Sequence, residues 1–230
     1  MKYPKVREAV FLSRPNRFIA NCLVDGEPVR VHVKNTGRCR ELLLEGAKVY
    51  LVPGENEKRS TPYDLVAVEK RTSRGNILIN MDSFAPNLAV YQWLKDGGIY
   101  QRGCKVLAER TYGDSRFDFY IEYGDKKAFV EVKGVTLEND GIASFPDAPT
   151  LRGIKHLKEL AAALDDGYET FVVFVVQFGG CRGFRPAAEL HKDFADALKE
   201  VRARGVKVLC YECNVTPDSM EISKEVKLLF

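Results

Sequence analysis

The sequence is poor in the residues that announce the commonest kinds of site. It has three histidines and one tryptophan, and its six cysteines are scattered at positions 22, 39, 104, 181, 210 and 213. A tetrahedral zinc site draws on closely spaced cysteine and histidine ligands. Only Cys210 and Cys213 are so spaced, and no second pair or nearby histidine completes a set. Their strand-like surroundings would also point the two side chains to opposite faces. His32 and His191 have no neighbours that suggest chemistry. No P-loop, dinucleotide fingerprint or G-x-S-x-G elbow occurs, so no organic cofactor is expected. Long apolar runs are missing too. The longest, Phe171 to Val176, is strand-length and far short of the roughly 20 residues of a membrane helix. Met1 leads straight into Lys2, Lys5 and Arg7 without the apolar core of a secretory signal. A cytoplasmic protein with reduced cysteines and no membrane partner is expected.

An excess of either charge is also lacking, since 35 Lys and Arg meet 32 Asp and Glu for a net +3. Their distribution is less even. Lys2, Lys5, Arg7, Arg14, Arg17, Arg30, Lys34, Arg38 and Arg40 face only Glu8, Asp25 and Glu27 before position 41. Such a basic block is either a solvated face or the footprint of a polyanion.

A chain of 230 residues with 45% hydrophobic content can build two cores. Over residues 1–83 the pattern is of short strands with turn punctuation. Phe18 to Val24 leads through Asp25-Gly26 into Val29 to Val33, a hairpin. Ala47 to Val52, Leu65 to Val68 and Ile77 to Ile79 follow, with one helical turn over Arg40 to Leu44. An oligonucleotide-binding (OB)-like small barrel fits that count. From residue 84 to 230 the order changes to α-β-β-β-α-β-α-β. Helices are expected over Asn87 to Lys95, Leu151 to Leu164 and Phe194 to Arg202. Strands are expected over Lys105 to Arg110, Arg116 to Glu122, Ala128 to Lys133, Phe171 to Val176 and Val206 to Tyr211. That order predicts a mixed α/β sheet flanked by helices.

The chemistry is concentrated in the hairpin from Asp118 to Lys133. Gly124-Asp125 suits a two-residue type II′ turn, and counting outward from it places Asp118 opposite Glu131. Phe117, Phe119, Ile121, Val130 and Val132 then alternate onto one face, leaving Asp118, Glu131 and Lys133 on the other. Like charges directly opposite each other destabilise a sheet. Either this face is open to solvent, or a divalent cation such as Mg²⁺ or Mn²⁺ lies between the carboxylates. Bound there, it would polarise a phosphoryl oxygen and acidify a water, with Lys133 orienting the nucleophile or neutralising developing charge. A glycosidase would need its carboxyl groups about 5–9.5 Å apart, more than direct cross-strand pairing gives.

The run Asp118…Glu131-Val132-Lys133 resembles the D…E-x-K signature of the PD-(D/E)xK nucleases, and the α-β-β-β-α-β order resembles their core. A closer resemblance spans nearly the whole chain. Arg17-Phe18, Asn35-Thr36-Gly37-Arg38, Pro86-Asn87 and Gly113-Asp114-Ser115-Arg116-Phe117-Asp118 are similar to motifs of the sugar fermentation stimulation protein A family. So are Glu131-Val132-Lys133, Phe145 to Thr150, Arg152-Gly153, Lys155-His156-Leu157 and Val176-Gln177. The resemblance implies an OB-like N-terminal domain, a nuclease-like C-terminal domain and DNA as partner. One departure stands out. Many nucleases of this kind add a carboxylate from the helix before the sheet, and Asn87 to Leu94 contains none. Glu109, on the first strand, is the candidate substitute.

The remaining candidates are DNA contacts. Asn35 and Arg38 could hold phosphates through amide and guanidinium donors, and Arg17 could pair a phosphate contact with stacking on Phe18. Arg152, Lys155 and His156 share a helical face that could bring charge to the same site. Gln177 ends the central strand, where ligand groups gather in α/β sheets. The expected function is a DNA-binding protein with a nuclease-type fold, in the active form a metal-dependent phosphodiesterase. The alternative is a non-catalytic DNA-binding regulator linked to sugar utilisation.

Overall fold

The computed structural model describes residues 1–35, 37–54 and 59–230. Six strands make the first sheet: β1 (Arg7–Asn16), β2 (Ile19–Val24), β3 (Glu27–Val33), β4 (Lys48–Pro53), β5 (Tyr63–Thr72) and β6 (Gly75–Asn80). They lie in the order β3-β2-β1-β4-β5-β6. A further parallel pairing, His32 opposite Asp64 and Val33 opposite Leu65, joins β3 to β5 and closes the first five strands into an OB-like barrel. Asp25 and Gly26 turn the β2–β3 hairpin with φ of +53° and +87°, the positive pair that a tight hairpin demands. Between β3 and β4 the expected single turn is present, with the Leu42 and Leu43 amides donating to the Cys39 carbonyl.

The sequence reading starts this barrel at Phe18 and misses β1. Only Ala9 and Phe11 of that strand are buried, and Arg7, Glu8, Ser13, Arg14 and Pro15 blur any alternation. Pairing with β2 on one side and β4 on the other makes it a strand.

The second sheet follows α1 (Ala85–Lys95). Its strands are β7 (Lys105–Tyr112), β8 (Ser115–Tyr123), β9 (Lys126–Val135), β12 (Glu169–Val176), β14 (Lys207–Thr216) and β15 (Ser219–Glu225), in the order β15-β14-β12-β9-β8-β7. The β9–β12 and β12–β14 pairs are parallel, as the buried run Phe171 to Val176 implies. Helix α1 covers one face, over Phe119, Val130 and Val173. Helices α2 (Leu151–Asp165) and α3 (Lys192–Arg204) cover the other, over Phe129, Val172 and Phe174. Short strands β10 (Leu137–Asn139), β11 (Ile142–Phe145) and β13 (Gly183–Pro186) add a small third sheet that the sequence reading does not anticipate. Cys210 and Cys213 point into different cores, as their strand spacing implies.

The barrel and the α/β layer are tied together at one junction. Buried Gln177 donates from Nε2 to the carbonyls of Asn80 (3.0 Å) and Asp82 (3.2 Å). Lys34 pairs with buried Asp82 at 2.9 Å, and Lys70 with buried Glu138 at 2.6 Å. No helix among the described residues is long and apolar enough to cross a membrane.

Candidate carboxylate site and basic cleft

Gly124 turns the β8–β9 hairpin with φ +57°, and the ladder runs from Tyr123–Lys126 to Phe119–Val130 as the register predicts. At Asp118 it stops. The Asp118 carboxylate replaces the next backbone partner: Oδ2 accepts from the Val132 amide at 2.7 Å and Oδ1 from Asn87 Nδ2 of α1 at 2.7 Å. The expected alternation of Phe117 with Phe119 and Ile121 therefore fails. Phe119 faces α1 beside Tyr91, whereas Phe117 turns to the α2 side, 5.3 Å from Phe129 and 6.1 Å from His156 between ring centroids. Glu109 stands between the paired positions Ala108–Phe119 and Arg110–Phe117 with φ +54°, so both strands are irregular here.

Glu131 and Lys133 face α2. Glu131 is only 3% exposed. Its Oε1 accepts from Lys133 Nζ at 2.5 Å and from His156 Nδ1, while its Oε2 is buried with no hydrogen-bond partner. The His156 tautomer follows from its other neighbour. Arg152 Nε lies 3.3 Å from His156 Nε2. A guanidinium can only donate, so Nε2 accepts and Nδ1 carries the hydrogen given to Glu131. His156 is buried and bonded on both ring nitrogens, to Glu131 and Arg152.

The two carboxyls titrate apart. Burial and the Glu131 charge push Asp118 above the usual carboxylate range, against the hydrogen bonds from Val132 and Asn87. Burial also pushes Glu131 up, but the His156 hydrogen bond and the Lys133 charge outweigh it and hold Glu131 below that range. Perturbed acidic groups of this kind gather at functional sites and also in structural ion-pair networks.

The other candidates scatter. Asn87, not a carboxylate, occupies the helix position next to Asp118, and the sequence reading gives it no role at the site. Glu109 is exposed and pairs with Arg116 at 3.5 Å. Lys155 is exposed, donating to the Asp114 carbonyl at 3.1 Å. Among the described residues no group of three Asp, Glu, His or Cys side chains forms a ready-made metal site.

Beside this cluster a cleft of about 520 Å³ separates the barrel from the α/β layer. Arg17, Asn35 and Arg38 line its barrel wall; Gly134, Thr150 and Gln177 line the other. Gly134 directly follows Lys133 on β9, and Thr150 caps α2 by accepting from the Gly153 amide at 2.9 Å, so the cleft borders the two elements that carry Glu131, Lys133 and His156. Arg17 and Arg38 are exposed and have no ion-pair partner among the described residues. Asn35 is committed to the loop: Nδ2 donates to the Met81 carbonyl and Oδ1 accepts from the Gly37 amide. Thr36, in the same motif, lies outside the described residues. A side chain at Gly37 would meet Asp147 Oδ2 at 2.5 Å and Asn35 Oδ1 at 2.9 Å, so those two side chains would have to shift to admit one.

Arg14 organises the barrel wall. Its guanidinium donates to the carbonyls of Arg17 (2.6 Å), Gly37 (3.0 Å), Asn35 (3.1 Å) and Arg38. In sequence it is one more charge of the basic block, and no local signal separates it from the others.

Two family models match in tandem: "SfsA N-terminal OB domain" over residues 12–80 and "Sugar fermentation stimulation protein RE domain" over residues 84–219. A sugar fermentation stimulation protein homolog of Desulfitobacterium hafniense (strain Y51) is 52% identical over 221 residues, 96% of this chain and 95% of its own length. The homolog of Ruminiclostridium cellulolyticum is 46% identical over 228 residues, 99% of each chain. The solved structure of Pyrococcus furiosus SfsA in complex with Ca²⁺ superposes with a TM-score of 0.85 at 25% identity, covering 100% of this chain and 98% of that one. Matched over nearly its whole length by these relatives, the chain belongs to the sugar fermentation stimulation protein family.

Proposed function

We propose that this chain is a DNA-binding protein, acting as a regulator, whose cleft between barrel and α/β layer receives the phosphate backbone. The observation that carries this is the barrel wall: Arg17 and Arg38 are exposed, without ion-pair partners among the described residues, and held in place by the four-carbonyl clamp of Arg14. Guanidinium groups left unpaired on a concave surface favour phosphate, through bidentate hydrogen bonds and release of counterions. Fluorescence anisotropy of labelled DNA titrated with protein across a salt series tests it. Affinity should fall linearly with salt on logarithmic axes. Absence of binding at low salt would overturn the reading.

A specific observation favours a second, catalytic reading. Glu131 Oε2 is a buried carboxylate oxygen with no partner, and the Glu131 charge is felt by Asp118. A divalent cation takes oxygen ligands from one or two carboxylates and completes its shell with water and phosphate. Asp118 and Glu131 fit that donor set, each carboxylate having lone pairs to spare beyond its present bonds. That the Pyrococcus relative was solved in complex with Ca²⁺ is consistent with a divalent cation as a ligand of this family. Bound Mg²⁺ or Mn²⁺ would supply Lewis acidity toward a phosphoryl oxygen and a water of lowered pKa. The chain's own contribution is order. Asn87 and the Val132 amide fix Asp118, His156 and Lys133 fix Glu131, and the Lys133 ammonium can meet charge developing on a phosphate. Cleavage of single-stranded, double-stranded or branched DNA with Mg²⁺ or Mn²⁺, abolished in Asp118→Asn and Glu131→Gln, would establish the nuclease. No cleavage of any form leaves the regulator.

A further inference from the structure

The described residues expose nine large hydrophobic side chains, and three of them belong to one helix and its cap. Phe84, Leu88 and Tyr91 are 67%, 52% and 41% exposed. Steps of four and three residues put them in a single stripe along α1. The next position on that stripe is exposed Lys95, and at the other end the Lys34 ammonium lies over the Phe84 ring, 5.8 Å from its centroid. The apolar stripe is thus bracketed by cations.

Its place is as informative as its composition. Phe84 follows Ser83, a residue of the cleft wall shared with Arg17 and Arg38. Three residues further along the helix, Asn87 donates to Asp118. Tyr91 packs on Phe119, whose chain neighbour is Asp118. The stripe therefore runs from the basic cleft to the Asp118 carboxylate.

We propose that Phe84, Leu88 and Tyr91 form a stacking platform for unpaired bases, so that the DNA form preferred at this site is a single strand or the single-stranded arm of a junction. This rests on the DNA-binding reading and deepens it. Bases in a duplex have their faces covered by neighbouring pairs, whereas an unstacked base offers a π-face to an aromatic side chain while its phosphates follow nearby cations.

The test compares a labelled oligothymidine with its blunt duplex, using anisotropy with wild type, Phe84→Ser/Leu88→Gln and Phe84→Tyr. Both replaced side chains are exposed, so the fold should survive, and circular dichroism checks that it does. Stacking on side chains is worth about 1–3 kcal/mol per base. The double variant should therefore lose roughly 5- to 150-fold in affinity for the single strand. Duplex affinity should change less than about twofold, and Phe84→Tyr should retain binding because it keeps the ring. In a strand containing 2-aminopurine, wild type should quench fluorescence on binding and the double variant should not. Equal losses for both DNA forms, or no loss for either, would overturn the platform while leaving DNA binding intact. So would a wild type that sediments as a dimer and a variant that sediments as a monomer. Failure of wild type to bind either DNA would overturn the DNA-binding reading itself, and the platform with it.

Discussion

Replacing Asp118 with asparagine should stabilise the cation-free protein and sharply reduce its response to divalent cations. Burial and the Glu131 charge hold the Asp118 carboxyl above the usual range. A carboxyl whose pKa is higher folded than unfolded binds more protons in the folded state between the two values. Stability therefore falls as pH rises through that window, and the deficit persists at neutral pH. Asparagine removes the charge and keeps the shape. Its oxygen can still accept from the Val132 amide, and Asn87 can turn its own amide to accept from the new NH₂ group. A gain of about 0.5–2 kcal/mol is the usual scale for relieving such a functional strain. At about 2–4 °C per kcal/mol for a chain of this size, Tm should rise by roughly 1–8 °C. Cations reverse the order. At a hundred times its Kd a ligand adds about 2.7 kcal/mol, or roughly 5–11 °C, to the wild type. Asp118→Asn, lacking one carboxylate, should gain far less. Differential scanning calorimetry at pH 7 in EDTA, Mg²⁺ and Mn²⁺ reads both effects. A lower Tm for Asp118→Asn in EDTA would refute the electrostatic reasoning, and equal cation shifts in both proteins would place the cation elsewhere.

Reversing charge in Arg17→Glu/Arg38→Glu should weaken DNA binding and reduce the log–log salt slope by about 1.8, since each phosphate contact contributes about 0.9; an unchanged slope would remove the barrel wall from the interface. Arg14→Ala should destabilise the barrel by about 2–3 kcal/mol in urea unfolding, because charge-assisted bonds to four carbonyls are lost at once. It should also weaken DNA binding, because Arg17 and Arg38 lose the clamp that presents them. Glu131→Gln should flatten the acid limb of stability. Burial raises the Glu131 carboxyl, but the bond from His156 and the charge of Lys133 hold it lower still, so its contribution is present above its unfolded pKa and lost as pH falls through the folded one. Urea midpoints between about pH 5 and pH 3 should drop less steeply in the variant than in wild type, given an unfolded Glu pKa near 4.3.

Where a segment satisfies its own hydrogen bonds or buries both of its faces, the sequence reading located it. Helix α2 shows its apolar stripe through Leu157, Leu160 and Ala161, and β12 its unbroken apolar run, so both could be read directly. The hairpin carrying Glu131 was legible because Gly124-Asp125 sets the register by local chemistry. Strand β1 was not, because two buried residues in ten give no period, and its structure comes from neighbours distant in the chain. Strands β10, β11 and β13, of three or four residues each, are likewise made by pairing alone.

The site divides along the same line. Asp118, Glu131 and Lys133 are close in sequence and could be gathered by counting along two strands. Asn87 and His156 reach them from helices on opposite faces of the sheet, and neither distance is encoded in a spacing. Both side chains could have been satisfied elsewhere; what gives Asn87 its partner is the end of the β8–β9 ladder at Asp118. A regular ladder would have supplied the Val132 amide with a backbone carbonyl and set the Asp118 side chain directly opposite Glu131 on the α2 face. Because β8 departs at Asp118, the side chain becomes the acceptor and is drawn among Val132, Asn87 and the Glu131 charge. The strand irregularity thus holds the Asp118 carboxylate where burial and the Glu131 charge raise its proton affinity. It does so beside a second carboxylate whose oxygen Oε2 is left without a partner.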